Sequence, residues 1–168
     1  MNKKILIIAI VTLLLDQLTK ILASSFLSLN HSIKIINKFF YLTLCHNTGA
    51  AWGIFSKYPI IIIIISIIAI ILIYHFIYCF KNNWRNNIAF GLLFGGLIGN
   101  LTDRVILGYV RDFLDFIIFH YDYPVFNIAD IAIVIGVILI IISTIKGDDI
   151  SENNSKRKTR KTRQVSSK

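Results

Sequence analysis

The chain has 168 residues, 55% of them apolar, with a mean hydropathy of +0.69. That composition excludes an ordinary soluble domain and leaves room for one compact membrane bundle and no second folded domain. The net charge of +9 is unevenly placed, which orients the chain in a membrane and gives no reason to invoke nucleic acid.

A membrane-spanning helix needs about 20 mostly apolar residues. The first stretch that qualifies is 5–24, preceded by Lys3 and Lys4. Asp16, Gln17 and Lys20 interrupt it and no clean cleavage site follows, so it reads as a retained span. Asp16 and Lys20 stand at i and i+4, the spacing of a structural ion pair within one helix. The segment 25–58 follows on the outer side. Within it, 32–43 (SIKIINKFFYLT) alternates loosely and predicts short strands at the membrane surface. They would cover helix ends or cradle a peptide. The stretch NTGAAWG at 47–53 predicts a turn at Asn47 and Gly49, with Trp52 suited to the interface.

The second span, 59–80, is nearly pure isoleucine at its start and leads into the basic link KNNWRNN, with Lys81 and Arg85. The third, 88–107, contains GGLIGN. It lacks the Lys and Ser/Thr of a phosphate loop, so its small residues predict close helix packing. Asp103 and Arg104 lie at its far end and read as a polar anchor. The connection 108–125 carries Asp112, Asp115 and Asp122, the last two read as solvated. The fourth span, 126–145, opens with FNIAD, where Asn127 and Asp130 have the spacing of a helix-capping pair. The predicted fold is an all-α four-helix membrane bundle with a small extracytoplasmic β-rich segment between helices 1 and 2. Residues 1–147 form the membrane domain. Residues 148–168 form a basic tail, expected to be disordered and to touch anionic lipid.

Twelve of the 18 basic residues lie before the first span, in the 81–87 link or after the fourth span. The positive-inside rule therefore puts both termini in the cytoplasm. Threaded that way, six of the nine acidic residues gather at or just below the outer surface: Asp16, Asp103, Asp112, Asp115, Asp122 and Asp130. Charge in a membrane is rare and usually functional. Other chemistries lack parts. His31, His46, His75 and His120 have no metal-ligand spacing, so no metal or other cofactor is expected. Ser24 and Ser25 have only Lys20 for company, and Cys45 beside His46 is a weak nucleophile candidate. Cys45 and Cys79 fall on opposite membrane faces and cannot pair. What is plentiful in one place is aspartate, and two aspartates sharing one proton can activate water and protonate a leaving group.

Five blocks occur in order: DQLTK at 16–20, NTGAAWG at 47–53, GGLIGNLTDR at 95–104, VRDF at 110–113 and FNIAD at 126–130. With four spans, they resemble the lipoprotein signal peptidase family, the bacterial type II signal peptidases. The resemblance implies an aspartic endopeptidase of the bacterial cytoplasmic (inner) membrane. It would remove signal peptides from prolipoproteins, cutting before a diacylglyceryl-modified cysteine. It implies Asp112 and Asp130 as the catalytic pair, with Asn47, Gly49, Asn100, Asp103, Arg104, Asn127 and Ala129 in support and Asp16 and Lys20 structural. The expected partners are the prolipoprotein and membrane lipid, with no nucleic acid and a monomeric enzyme. Two positions depart from the pattern. Trp52 stands where Phe is usual, and Arg111 where Val is usual; Arg111 is expected to turn outward. Two other readings stay open: an ion-coupled transporter relaying through Asp16, Asp103 and Asp130, and a non-catalytic assembly factor. The transporter needs a polar path inward, for which the inner halves of spans two and four supply only Ser66 and Ser143–Thr144.

Overall fold

A computed structural model describes residues 2–49 and 58–148. Among these residues four helices and four strands form, in the order α1 (Lys3–Phe26), β1 (Ser32–Ile36), β2 (Phe40–Asn47), α2 (Pro59–Phe76), α3 (Trp84–Leu107), β3 (Val110–Ile118), β4 (Tyr121–Asp122) and α4 (Ile128–Ile145). All four helices are long and apolar enough to cross a membrane, α2 by way of a 3₁₀ turn that carries it to Cys79. The expected tail over 148–168 lies, apart from Asp148, outside the described residues, as does Trp52.

Asparagine starts three of the helices. The side chains of Asn2, Asn83 and Asn127 each accept a backbone N–H of the first turn, of Lys4, Asn86 and Asp130 respectively. Such caps satisfy donors that have no partner inside the helix. Gly108, at φ +83°, ends α3 in the left-handed region that glycine enters without strain.

Helix α3 is the centre of the bundle, packed against α1 on one side and α4 on the other, with α2 beside it. Lipid offers no hydrophobic drive for helix association, so close approach by small residues has to supply the packing. The GGLIGN stretch does this. A Cβ on Gly95 would fall 2.5 Å from the Thr12 Cβ and 2.7 Å from the Ala9 carbonyl oxygen; one on Gly96 would fall 2.6 Å from the Ala129 carbonyl oxygen; one on Gly99 would meet the Asp16 carboxylate. Gly96→Ala therefore has to push α4 away from α3 next to Asp130. Overpacking of this kind costs about 1–3 kcal/mol, and the expected result is a lower melting temperature in detergent together with slower turnover. An unchanged melting temperature would show that the two helices can part at no cost.

Helix α2 buries Ile62 alone among its residues and leaves most of its isoleucines exposed, as a lipid-facing helix should. A cluster of Ile5, Ala9, Phe80, Phe90, Leu93 and Phe94 fills one end of the bundle. At ~1.5 Å per residue, Asp16 lies roughly 16 Å along α1 from Ile5, so the apolar core and the buried charges occupy different levels.

The strands form one antiparallel sheet in the order β1-β2-β3-β4. This corrects the expectation of a β-rich segment confined to the link between helices 1 and 2, because half the strands come from the connection after α3. The sequence VRDFLDFII is a good strand by composition, but its three charged and acidic positions hid the alternation. Between β2 and β3 the ladder is irregular: Leu42 faces Leu114 and Cys45 faces Asp112, so Thr43 and Leu44 oppose Phe113 alone. A bridge from Leu114 to Phe126 ties the sheet to the start of α4.

Candidate active site

Four elements deliver polar side chains to one place. Asp16, Gln17 and Lys20 come from the C-terminal half of α1, Asn100, Asp103 and Arg104 from the end of α3, Arg111 and Asp112 from β3, and Asn127 and Asp130 from the first turn of α4. Asn47 and Gly49 reach in from the end of β2 and the turn beyond it.

Asn127 and Asp130 form a capping box. The Asn127 side-chain oxygen accepts the Asp130 N–H at 3.1 Å, and the Asn127 N–H donates to Asp130 Oδ2 at 3.1 Å. The same asparagine has a second task. Its Nδ2 donates to Asp112 Oδ1 at 2.6 Å and to Asn100 Oδ1 at 3.1 Å. Asn47 Nδ2 donates to the other Asp112 oxygen at 2.8 Å, and Asn100 Nδ2 donates to Asp130 Oδ1 at 2.8 Å. Asp112 and Asp130 are thus joined by one amide, and each also holds a second asparagine.

Asp112 is 2% exposed. Burial, and next the negative charge of Asp130, push its carboxyl up to about 7, against the pull of the Asn47 and Asn127 amides. Near neutral pH it is a proton donor as readily as an acceptor. Burial and the charges of Asp112 and Asp115 likewise hold the Cys45 thiol above its usual range, which argues against a Cys45 nucleophile. The hydroxyls of Ser24 and Ser25 are spent on the carbonyls of Lys20 and Ile21 in their own helix. Among the described residues no group of three His, Cys, Asp or Glu converges to hold a metal.

Beneath the pair lies a charge network. Lys20 is fully buried and donates to Asp16 Oδ2 and to Asn100 Oδ1, both at 2.8 Å. Asp16 Oδ1 accepts the Ala129 N–H at 3.0 Å, so the expected intrahelical pair also fixes α4. Gln17 Nε2 reaches Asp103, Asp16 and the Gly99 carbonyl. Arg104 donates to the Gly49 carbonyl at 3.0 Å and more weakly to the Asn100 carbonyl, and its charge acts on Asp112 and Asp130.

The expectation that Arg111 turns outward is wrong. Its guanidinium folds back onto Asp103 and Gln17, because a buried carboxylate on the preceding helix offers more than lipid or water. Asp115 is not simply solvated either: its carboxylate accepts the Thr43 hydroxyl across the sheet. Asp122 is exposed. The reading of Asp103 and Arg104 as a simple outer-end anchor also needs enlarging. Asp103 is 1% exposed and serves Arg111, Gln17 and Lys20.

The sequence profile described as signal peptidase (SPase) II matches residues 8–146, most of the chain. The chain belongs to the signal peptidase II family. Proteins named lipoprotein signal peptidase from Staphylococcus aureus are similar to it over 142 residues, at 43% identity in strain bovine RF122 / ET3-1 and 42% in strain JH9, covering 84% of this chain and 87% of each relative. Two solved structures, described as bacterial membrane enzyme structures obtained by the in meso method, superpose with TM-scores of 0.76 and 0.74 at 41% identity, each over 84% of this chain and over 87% and 92% of theirs. The family makes the chain a protease of lipoprotein processing, and four spanning helices fit a multi-pass protein of the bacterial inner membrane. Two further contributors are Gln17, which the sequence marks only as an interruption of the first span, and Arg111, for which the sequence gives no sign of an inward partner.

Proposed function

We propose that this signal peptidase II is an aspartic endopeptidase in which Asp112 and Asp130 act on one water molecule. Its substrate is a prolipoprotein carrying a diacylglyceryl-cysteine, cut just before that cysteine. The observation that carries the reading is the amide of Asn127, which caps α4 through Asp130 and binds Asp112 at the same time. One residue thereby sets two carboxyl groups against each other in a partly dry site.

The division of labour follows from the surroundings. Asp130 lies in the first turn of α4, where its carboxylate accepts the Asn127 N–H and the Asn100 amide. Asp112 is the buried member held near 7 and carries the shared proton. Asp130 takes a proton from water as the oxygen attacks the peptide carbonyl carbon, and Asp112 passes its proton to the carbonyl oxygen. In the collapse of the resulting diol Asp112 recovers that proton, while Asp130 protonates the departing amine. Asn47 and Arg104, at the rim of the pair, are placed to hold the substrate backbone.

The positive-inside reading supports placing this end of the bundle near the outer leaflet, with both termini in the cytoplasm. A lipid-anchored cysteine keeps its acyl chains in that leaflet, so its scissile bond lies at the level of Asp112 and Asp130. Residues 1–147 are the peptidase domain and 148–168 a basic cytoplasmic appendage. The enzyme works as a monomer, in contact with lipid and without nucleic acid. Membership in a peptidase family gives a transporter relay no support.

The test uses purified protein in detergent and one prolipoprotein in two forms, with and without the diacylglyceryl group. Cleavage of the modified form alone, with the new N-terminus at the lipidated cysteine, is expected. Equal cleavage of both forms would remove the lipid from the recognition, and cleavage elsewhere would remove the assigned reaction.

A further inference from the structure

Arg111 is among the most strongly bonded side chains near the carboxylate pair. Its Nη2 donates to Asp103 Oδ1 at 2.7 Å, its Nε to Asp103 Oδ2 at 3.1 Å and its backbone N–H to that same oxygen at 3.0 Å. Nη2 also donates to Gln17 Oε1 at 3.0 Å. A forked guanidinium on both oxygens of one carboxylate is the strong, geometrically specific form of ion pair. The residue held in this way directly precedes Asp112.

That position is where the strand needs holding. The β2–β3 ladder is irregular just past Asp112, where two residues of β2 oppose Phe113. Downstream, the Phe113 and Leu114 N–H groups are caught by the Phe126 carbonyl at 3.0 and 2.8 Å. Upstream, the hold on β3 from the helices is Arg111 on Asp103. Irregular ladders next to active sites re-aim side chains, and here both flanks of the irregularity are tied down, one to α3 and the other to Phe126 just before the α4 cap.

The charges point the same way. Asp16 and Asp103 are two buried anions, and Lys20 and Arg111 are the two cations that meet them. Lys20 sits 2.8 Å from Asp16 but 3.7 Å from Asp103, which is left to Arg111. Lys20 is thereby free to donate to Asn100 Oδ1, and with that oxygen occupied by Lys20 and Asn127 the Asn100 Nδ2 faces Asp130. Without Arg111, one lysine would answer two carboxylates, and its bond to Asn100 would weaken.

We propose that Arg111 is a positioning residue for the reaction, pinning the strand that carries Asp112 and, by satisfying Asp103, leaving Lys20 to lock Asn100 against Asp130. The inference rests on the reading of Asp112 and Asp130 as the catalytic pair. Its test measures kcat and KM separately for a lipidated prolipoprotein, with melting temperature as the check on folding. Arg111→Met keeps the aliphatic length and removes the fork. Loss of position costs turnover more than ground-state binding, so kcat at least about fivefold lower is expected, with KM within about threefold of wild type. Adding Asp103→Asn to Arg111→Met removes the competing anion and frees Lys20 for Asn100, so kcat recovers about twofold, while the lost pin keeps it below wild type. A purely structural role ties kcat to the fold, so kcat and melting temperature fall together in Arg111→Met and return together in the double variant, since neutralising both partners of a buried pair can cost little; the positioning role lowers kcat at a temperature where Arg111→Met is still fully folded. A smaller loss in Arg111→Met, or a loss that Asp103→Asn fails to relieve, overturns the proposal. Should Arg111→Met not accumulate in folded form, Arg111→Lys decides. It keeps the charge without the fork, and about threefold lower kcat at unchanged KM supports the role, whereas wild-type kcat overturns it. Asp112→Asn and Asp130→Asn run alongside. Cleavage by either sinks the catalytic pair itself, while two inactive controls beside an unimpaired Arg111→Met sink the positioning role alone.

Discussion

Asp112→Asn and Asp130→Asn each lower kcat for a lipidated prolipoprotein by about 10³-fold or more, the upper range for losing one partner in general acid–base chemistry. Both variants stay folded, because asparagine keeps the shape of the carboxylate and the asparagine amides around it can turn to suit. Asp112 loses at most one of its two accepted amide bonds, from Asn47 or Asn127. The measurement is single-turnover cleavage beside a melting curve. Turnover surviving in one variant would move the chemistry away from that carboxylate, with Asp103 the next buried candidate.

The same pair gives a pH signature with a definite sign. With Asp112 as the protonated member of the proposed pair and its carboxyl held up to about 7, kcat/KM is expected to fall as pH rises through about 7 and the shared proton is lost. Stability moves in the same direction. The folded state keeps a proton on Asp112 that the unfolded chain releases near 3.8, so folding loses stability as pH rises from about 4 to about 7. At about 1.4 kcal/mol per pH unit the whole interval amounts to about 4 kcal/mol. Asp112→Asn escapes this loss. Its melting temperature relative to wild type therefore climbs between pH 5 and pH 8 (~3 pH units, within the linkage window). A constant difference would mean that Asp112 is already ionised at the lower pH.

How far the sequence reveals this site differs from residue to residue. The spans were legible because lipid demands long apolar runs, and nothing else in the chain imitates them. The capping pair at Asn127 and Asp130 was legible because its spacing is local. What the sequence hid was long-range. Nothing in DQLTK says that Lys20 will be shared with Asn100, 80 residues away, since the i,i+4 pairing with Asp16 already accounts for it. Arg111 misled because a charged residue in a strand next to a membrane ordinarily turns outward. Its inward turn needs Asp103 and Gln17, delivered by two different helices. The third and fourth strands are hidden because the charged residues of VRDFLDF mask its alternation, and its pairing with β2 is set by a partner some 70 residues away.

Lys20→Met is expected to be the most damaging single change to the fold. The lysine ammonium has no exposed surface and is held by Asp16 and Asn100 at 2.8 Å, with Asp103 at 3.7 Å. Methionine matches its length but leaves Asp16 as a buried carboxylate whose remaining donors are the Ala129 N–H and the Gln17 amide. Breaking a buried pair from one side costs about 3–5 kcal/mol, whereas neutralising both partners can cost little. The melting temperature in detergent should therefore drop steeply in Lys20→Met, and adding Asp16→Asn should recover much of the drop. Activity should behave differently. The double variant still lacks the ammonium that fixes the Asn100 oxygen, so Asn100 can turn away from Asp130 and cleavage stays slow even where the fold is restored. Recovery of stability without recovery of turnover would separate the two duties of this lysine: neutralising α1 against α3, and orienting the amide that holds Asp130. Full recovery of both would leave Lys20 a structural cation only, and Asn100 would then owe its orientation to Asn127 alone.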